Sequence, residues 1–282
     1  MTSIKKSTVL ITGGASGIGK LMGSKCLQRD ASRVLVWDIN PAGLQQTYQE
    51  FTEAGYEVHT WQVNVGDAAQ VQQAAEDVLN CFGAPETLIN NAGIVVGKPF
   101  VEHSMTEIER TLQVNVLDAM LVTQAFLPAM VARGQGHIVN IVSAASLLPN
   151  PRMSVYAGSK WAVLGWSESL RLELEQIGPN LKVTTVMPSY IDTGMFAGVK
   201  APLLTPILQP DTITEAILNA IKRNKILLRK PFIVNLLPLL HGILPTRVFD
   251  TVTGRWFGVY TSMNDFTGRP AVGQKPAYAT KP

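Results

Sequence analysis

Short apolar runs and longer segments of helical period alternate along the first two-thirds of the chain. The apolar runs are apolar on both faces, as strands buried inside a parallel sheet are. Strands are predicted at 7–12, 33–37, 58–63, 87–90, 137–142 and 182–187. Helices are predicted at 18–29, 41–54, 68–82, 105–133, 155–177 and 211–223. This alternation predicts an α/β fold, a doubly wound parallel sheet with helices on both faces.

The segment that follows the last predicted helix is unusually apolar. Residues 231–246 contain no Asp, Glu, Lys or Arg, and the basic residues that flank the run are Arg229, Lys230 and Arg247. Pro238 and Gly242 interrupt it, and it is too short for a transmembrane helix. Four interpretations stay open: a lid over an apolar substrate pocket, a subunit contact, a peripheral membrane contact through residues 229–249, or simple core packing.

Composition indicates one large folded domain and narrows the classes of partner. Of the 282 residues, 46% are hydrophobic and 16% are charged, which is enough for a sizeable core. We expect one domain, with a main body at 1–224 and an apolar C-terminal appendage at 225–282 that belongs to the same domain. The net charge is +3 and the basic residues are scattered, so no nucleic-acid partner is expected.

Cysteine and histidine give no sign of disulfide or metal chemistry. Cys26 and Cys81 are far apart and are expected to be reduced thiols, and the histidines form no close-spaced pair, so no metal site is expected. The chain enters its first apolar run at once, without the pattern of a signal peptide or an N-terminal anchor. We therefore expect a cytoplasmic protein whose contact with a membrane, through the apolar segment, is at most peripheral.

A glycine-rich turn follows the first predicted strand and opens the first helix. Backbone that approaches a phosphate needs residues without Cβ, and a helix N-terminus offers N–H groups and a positive dipole end. The candidate cofactor-binding residues in this turn are Gly13, Ser16, Gly17, Ile18 and Gly19. The spacing differs from the common Gly-x-Gly-x-x-Gly pattern, and the stretch from Gly14 to Lys20 nearly matches a P-loop. Because Leu21 lacks the hydroxyl that holds magnesium there, we favour a dinucleotide over a triphosphate or a merely tight turn.

Asp38 ends the second predicted strand, nineteen positions after Gly19. A carboxylate at this place can accept hydrogen bonds from the adenosine ribose hydroxyls and would repel a 2′-phosphate. No Lys or Arg stands directly after it or inside the glycine turn, so NAD is expected in preference to NADP. The alternative, that Asp38 caps the helix beginning at Pro41, stays open and is compatible with the first interpretation.

A second group of residues can move a proton. Tyr156 and Lys160 are spaced i, i+4 near the start of a helix, so that the ammonium is expected to lower the phenol pKa from about 10. Ser143 ends the preceding strand, where open α/β sheets place their ligands, and its hydroxyl could hold a substrate oxygen. Taken alone, a tyrosine on a half-buried helix with a solvated lysine would explain the pair equally well.

In this order the motifs resemble those of the short-chain dehydrogenase/reductase family over residues 7–193. The family pattern Thr-Gly-x-x-x-Gly-Ile-Gly matches residues 12–19, and Asn-Asn-Ala-Gly matches residues 90–93. The resemblance implies a Rossmann fold and a catalytic tetrad of Asn115, Ser143, Tyr156 and Lys160. Tyr156 would be the general base for alcohol oxidation and the acid in reverse, Lys160 would also bind the nicotinamide ribose, Ser143 would orient the substrate, and Asn115 would hold a water in a proton path.

The same resemblance implies the remaining cofactor contacts. They are Asn64 and Val65 at the adenine, Asn91, Ala92 and Gly93 beside the adenine ribose, and Ser189, Ile191 and Thr193 at the nicotinamide carboxamide. Two of these depart from the family pattern. Asn64 replaces the usual Asp, which weakens the adenine contact at most, and Ser189 replaces the usual Gly and adds bulk beside the nicotinamide ring.

The tail is similar to a narrower branch, the retinol dehydrogenase and 17β-hydroxysteroid dehydrogenase type 11 group. Leu244-Pro245 and the stretch from Met263 to Arg269 carry this likeness. It implies an NAD-dependent oxidoreductase of a hydrophobic alcohol or ketone, retinoid or steroid in type, which forms a homodimer or homotetramer. A fatty or terpenoid alcohol dehydrogenase, a ketone reductase of broad range, and a non-enzymatic NAD-binding sensor or structural protein are the alternatives.

Overall fold

The computed structural model describes residues 1–268 of the chain, and within them the strands form one parallel sheet. The strands are β1 (Thr8–Thr12), β2 (Arg33–Asp38), β3 (Val58–Gln62), β4 (Thr87–Asn90), β5 (Gly136–Ile141), β6 (Leu181–Pro188) and β7 (Leu227–Lys230). The main helices are α1 (Gly17–Leu27), α2 (Pro41–Glu53), α3 (Ala68–Phe82), α4 (Met105–Leu112), α5 (Asp118–Arg133), α6 (Ser154–Ile177) and α7 (Pro210–Lys222).

The strands lie in the order β3-β2-β1-β4-β5-β6-β7, so the chain reverses its direction across the sheet after β3. This is the doubly wound Rossmann arrangement, and it confirms the predicted fold class. Ligands of such sheets bind at the carboxyl ends of the strands beside the reversal, which here are β1 and β4.

Both faces of the sheet are covered by helices because successive strand residues point to opposite sides. On β1, Val9 and Ile11 join a core with α1, α2 and α7, whereas Leu10 joins a second core with α3, α5 and α6. Cys26 is buried in the first core, where burial raises its thiol pKa to about 12, while Cys81 is a free, exposed cysteine.

The predicted strands and helices agree with the structure to within one or two residues at most ends. The strand β7 is missing from the prediction because half of its residues are basic, so it forms no apolar run. Within residues 1–268 it pairs with β6 alone, at the edge of the sheet. Since β7 lies beyond residue 224, the sheet includes the first residues of the predicted appendage.

The helix predicted at 105–133 has an interruption that no periodicity indicated. A π-helical turn, Gln113–Leu117, joins α4 to α5 and widens the helix by one residue. In the described part of the chain, this continuous helix, Met105–Arg133, is the one segment long and apolar enough to cross a membrane. Its residues Phe126 and Met130 are buried against the sheet, as in the central helix of a globular domain.

After β7 the chain forms a compact C-terminal segment over the carboxyl edge of the sheet. It consists of a 3₁₀ turn at Phe232–Leu236, α8 (Leu237–Ile243), α9 (Thr246–Phe249), a π-helical turn at Asp250–Trp256 and a 3₁₀ turn at Val259–Thr261. Met263 then packs, fully buried, against Tyr156 and Val199. The tail motif ends at Arg269, which lies outside the described residues together with the rest of the predicted appendage.

Candidate active site

A cavity of about 1020 Å³ opens at the carboxyl ends of the strands, beside the reversal of strand order. It brings together nearly all the predicted site residues. Those in its lining are Gly13, Ser16, Gly17, Ile18, Asp38, Asn64, Val65, Asn91, Ala92, Gly93, Ser143, Tyr156, Lys160, Ser189, Ile191 and Thr193. Two predicted residues, Gly19 and Asn115, lie behind this lining instead.

The glycine turn is fixed by β4 and has no room for side chains. Gly13 and Gly17 have φ angles of +63° and +54°, which glycine adopts without strain. A Cβ on Gly19 would collide with the Gly13 carbonyl oxygen and the Asn91 amide. Asn91 Nδ2 donates to the carbonyl oxygens of Thr12 at 3.0 Å and Gly13 at 3.1 Å. The turn therefore presents bare backbone and the N-terminus of α1 to the cavity, which fits a pyrophosphate.

Asp38 occupies the end of β2 beside this turn. Its Oδ2 accepts from the Ala15 backbone N–H and its Oδ1 from the Asn40 backbone N–H, both at 3.0 Å. Asn40, and not Asp38, is the N-cap of α2, so the capping alternative was wrong. Two backbone donors fix the carboxylate at the cavity wall, where it can accept further hydrogen bonds from ribose hydroxyls.

The proton-transfer group comes from β5 and α6. Ser143 follows β5, and its Oγ accepts from the Ala145 backbone N–H at 3.1 Å and is also within hydrogen-bonding reach of Tyr156. Lys160 lies one turn after Tyr156 on α6, with its Nζ 5.8 Å from the centre of the phenol ring. That ammonium donates to the Ile141 carbonyl oxygen at 3.0 Å. All three side chains are buried to more than nine-tenths.

The pKa of Tyr156 differs from the sequence-based expectation. Burial raises it to about 12, with a smaller rise from the nearby Tyr190, and the hydrogen bond with Ser143 opposes these effects. Burial also lowers the pKa of Lys160 to about 8, against the attraction of Asp118. The expected lowering by Lys160 is not seen because this ammonium is directed to the Ile141 carbonyl rather than to the phenol oxygen. In this state Tyr156 holds its proton and is ready to donate it.

Asn115 lies in the π-helical turn and supports the site from behind. Its Oδ1 accepts from the Ile94 N–H at 2.8 Å, and its Nδ2 donates to the Ile94 carbonyl and to Ser159 Oγ, both at 3.0 Å. The side chain thus joins the loop after β4 to α6, next to Lys160. Since all these partners are protein atoms, the water-holding role implied by the resemblance stays a prediction.

An apolar pocket of about 80 Å³ adjoins the large cavity and shares Ser143, Ser189 and Phe196 with it. The C-terminal segment closes it with the side chains of Ile233, Val234, Leu237 and Leu240. The sequence offered a lid over an apolar substrate pocket as one interpretation of the C-terminal segment, but it did not identify the residues that line the pocket, because no fixed spacing marks them.

Tyr190 is the polar anchor of this pocket. Its hydroxyl lies 2.9 Å from both the Asn150 side-chain amide and Ser262 Oγ. Its ring meets Phe196 edge-on at 5.2 Å, and Phe196 meets Tyr156 at 6.1 Å. Tyr156 and the C-terminal segment are therefore connected through the wall of the pocket.

Comparison with known proteins identifies the family. The family model described as short chain dehydrogenase matches residues 7–203. The chain belongs to the short-chain dehydrogenase/reductase family, and it is an oxidoreductase of the kind that uses a nicotinamide cofactor. Within this family it falls in the branch of retinol dehydrogenases and 17β-hydroxysteroid dehydrogenases that the tail indicated.

The relatives that define this branch match almost the whole chain. Human short-chain dehydrogenase/reductase 3 is 33% identical over 95% of this chain and 89% of its own. Mouse epidermal retinol dehydrogenase 2 is 36% identical over 93% and 85%, and rat estradiol 17-beta-dehydrogenase 11 is 32% identical over 90% and 85%. Among solved structures, a short-chain dehydrogenase/reductase from Burkholderia phymatum in complex with NAD has a TM-score of 0.78 and 25% identity, covering 86% of this chain and 95% of its own.

Proposed function

We propose that this protein is an NAD-dependent oxidoreductase that interconverts a hydrophobic alcohol, retinoid or steroid in type, and its carbonyl compound. The observation that supports the proposal is that the large cavity and the apolar pocket meet at Ser143. A large cavity with a bare glycine turn and a fixed carboxylate joins an apolar pocket at Ser143, beside Tyr156. Such a junction suits a reaction between a dinucleotide and the oxygen-bearing carbon of an otherwise apolar molecule.

The residues of the large cavity fit a nicotinamide dinucleotide along its length. The turn from Gly13 to Gly19 would hold the pyrophosphate and Asp38 the adenosine ribose. Asn64, Val65, Asn91, Ala92 and Gly93 would border the adenosine, and Ser189, Ile191 and Thr193 the carboxamide. The nicotinamide, when bound, supplies or takes the hydride. Lys160 would bind the nicotinamide ribose, and its ammonium is held in the cavity wall by donation to the Ile141 carbonyl oxygen.

Tyr156 and Ser143 would act on the substrate oxygen. Because burial keeps the phenol protonated, Tyr156 would donate a proton to the oxygen during carbonyl reduction and would need to lose one before alcohol oxidation. Ser143 would donate a hydrogen bond to the same oxygen and stabilise its charge. Among the residues that the structure describes, no charged side chain lines the apolar pocket, which favours a lipophilic alcohol over a charged substrate.

Activity assays with matched variants test this function. NADH absorbance at 340 nm would be followed with retinol, steroids, terpenols and fatty alcohols as substrates. We expect turnover of at least one lipophilic class, its loss in Tyr156→Phe, and undiminished NAD binding in that variant. Tyr48→Phe, an exposed tyrosine on α2, is the control. Full activity of Tyr156→Phe would reject the mechanism, and NAD binding without any turnover would favour the sensor alternative.

The outer side of the C-terminal segment extends the proposal to a peripheral membrane contact. Phe232, Leu239, Ile243 and Trp256 are 76%, 58%, 69% and 71% exposed. Arg247, which is 96% exposed, adds a basic group suited to anionic headgroups. We therefore propose a cytoplasmic protein that contacts a lipid surface through residues 229–249, so that a lipophilic alcohol enters its pocket from the bilayer.

Liposome sedimentation tests the membrane contact. We expect binding to vesicles of mixed phosphatidylcholine and phosphatidylserine at low salt, weakened by added salt and by Ile243→Asp. Val101→Asp serves as the control, because Val101 is 90% exposed but lies before α4, outside this segment. Absence of sedimentation at low salt, or equal effects of the two substitutions, would contradict the proposal.

A homodimer or homotetramer completes the proposed state of the enzyme. Exposed apolar side chains lie along α4, the π-helical turn and α6, at Met105, Leu112, Leu117, Trp161 and Leu172. Covering them would remove from water an apolar surface of the kind that subunit interfaces bury. Light scattering should give twice or four times the monomer mass, with a smaller mass for Leu112→Glu. A monomeric wild-type protein would contradict this part of the proposal.

A further inference from the structure

A buried acid that the proposed chemistry does not use lies beneath the active site. Asp118 begins α5 directly after the π-helical turn and is 1% exposed. Its Oδ1 has no hydrogen-bond partner in the described part of the chain. An ionised carboxylate is costly to bury without a partner, so Asp118 is ionised here only if a nearby cation compensates its charge.

The helix itself does not provide that compensation. A carboxylate near a free helix N-terminus is stabilised by unpaired N–H groups. Asp118, however, lies in the middle of the continuous helix Met105–Arg133, and its own N–H donates to the Gln113 carbonyl oxygen. The compensating charge must therefore come from another element.

Packing brings Lys160 close to the π-helical turn that precedes Asp118. Asn115, one helical turn before Asp118, donates to Ser159, the residue that precedes Lys160. A Cβ built on Gly93 would lie 3.4 Å from Asn115 Oδ1 and 3.6 Å from Lys160 Nζ, so the ammonium is close to the π-helical turn. Burial raises the pKa of Asp118 well above its usual range, and the charge of Lys160 opposes this rise. Asp118 in turn opposes the fall that burial causes in the pKa of Lys160.

We propose that Asp118 is a positioning residue: it is the buried counter-charge that keeps the Lys160 side chain in its ammonium form inside the closed active site. The consequence for Lys160 is direct. Burial alone favours the neutral amine and lowers the lysine pKa, and Asp118 opposes this change. Three other acids, Asp38, Asp67 and Glu109, line the cavity from β2, the N-cap of α3 and α4, but Asp118 is the acid whose charge acts on Lys160. Tyr156 and Ser143 carry no negative charge while the phenol is protonated. Without Asp118 the lysine would lose its proton at a lower pH, and the active site would lose the positive charge of its ammonium.

The inference rests on the proposed function only for its catalytic consequence, so its test is separate from turnover. The protein would be labelled with [¹³C]lysine, and the Lys160 Cε resonance, identified by its absence in Lys160→Met, would be titrated by NMR. We expect the lysine pKa in Asp118→Asn to fall by at least one unit, a tenfold lower ratio of ammonium to amine. Thr111→Val, which alters a buried polar residue of α4 without a change of charge, should leave the titration unchanged.

Two outcomes would overturn the assignment. One is an unchanged Lys160 titration in folded Asp118→Asn, and the other is a neutral Lys160 amine in the wild type at pH 7. If Asp118→Asn does not fold, stability decides the matter through a double-mutant cycle with Lys160→Met. If Asp118 and Lys160 form a charge pair, the double variant loses less free energy of unfolding than the two single variants lose together. If the two single losses simply add, the pair is rejected.

Discussion

Replacement of Asp38 by asparagine is expected to shift the cofactor preference toward NADP. The carboxylate cannot turn away from a 2′-phosphate, because it accepts from the backbone N–H groups of Ala15 and Asn40 at 3.0 Å each. The cavity lining does contain basic side chains, Arg110 and Lys160, but they come from α4 and α6 rather than from the elements beside Asp38. The carboxylate charge therefore sets the selectivity locally.

The size of the shift follows from Coulomb's law. Two unit charges about 4 Å apart repel by about 4 kcal/mol near a protein surface and by about 1 kcal/mol in bulk water. Asp38 is half-buried at the cavity wall, between these limits. A middle value of about 2.7 kcal/mol corresponds to about 100-fold in the ratio of kcat/KM for NADP to that for NAD.

Steady-state kinetics with both cofactors measure this ratio in Asp38→Asn and in a matched control. The control is Asp67→Asn, which removes a carboxylate from the same cavity but from the N-cap of α3. We expect its ratio to stay within about twofold of the wild type, because the loss affects helix capping and not the ribose site. A ratio unchanged in Asp38→Asn, or shifted equally in both variants, would refute the reasoning.

Three further outcomes are expected. Gly19→Ala should abolish NAD binding measured by calorimetry, since its Cβ has no room, whereas Gly158→Ala, with open space around it, should bind normally. Burial lowers the pKa of His137 from 6.5 to about 3. Between pH 3 and pH 6.5, His137 is therefore protonated in the unfolded chain but not in the folded protein. Urea titrations should therefore show stability falling by up to about 1.4 kcal/mol per unit as pH drops from about 6 to 4, and less steeply in His137→Asn. Tyr190→Phe removes the hydrogen bonds to Ser262 and Asn150, so it should raise KM for the lipophilic alcohol about tenfold with little effect on NAD binding. An unchanged KM would show that this part of the pocket wall does not determine substrate specificity.

The sequence allowed most of the fold to be predicted, because buried parallel strands are apolar on both faces and the helices between them keep a clear period. The run at 87–90 matches β4 at both ends, and 68–82 matches α3. β7 escaped detection because an edge strand with one neighbour needs little apolar surface, and Arg229 and Lys230 occupy half of it. The π-helical turn was equally invisible, since one extra residue hardly changes a helical period over nearly thirty residues.

The candidate site shows the same division: sequence motifs predict which residues line it, whereas tertiary packing determines their electrostatic properties. Gly13, Asp38 and Ser143 line the cavity because each stands at the end of a strand, a position that sequence order predicts well. The raised pKa of Tyr156 and the proposed pairing of Asp118 with Lys160 depend on burial and on contacts between distant helices. No local pattern contains that information.

The short helix α8 has consequences for how this enzyme can diversify. Leu237 and Leu240 point into the pocket, while Leu239 and Ile243 point out of the protein. Each residue of an α-helix advances about 100° around its axis, so inserting a single amino acid ahead of Leu237 would exchange much of the inner row for the outer one. The length of this segment is thus constrained as strictly as its composition, and any change in which molecules the enzyme accepts also alters the surface it turns toward its surroundings.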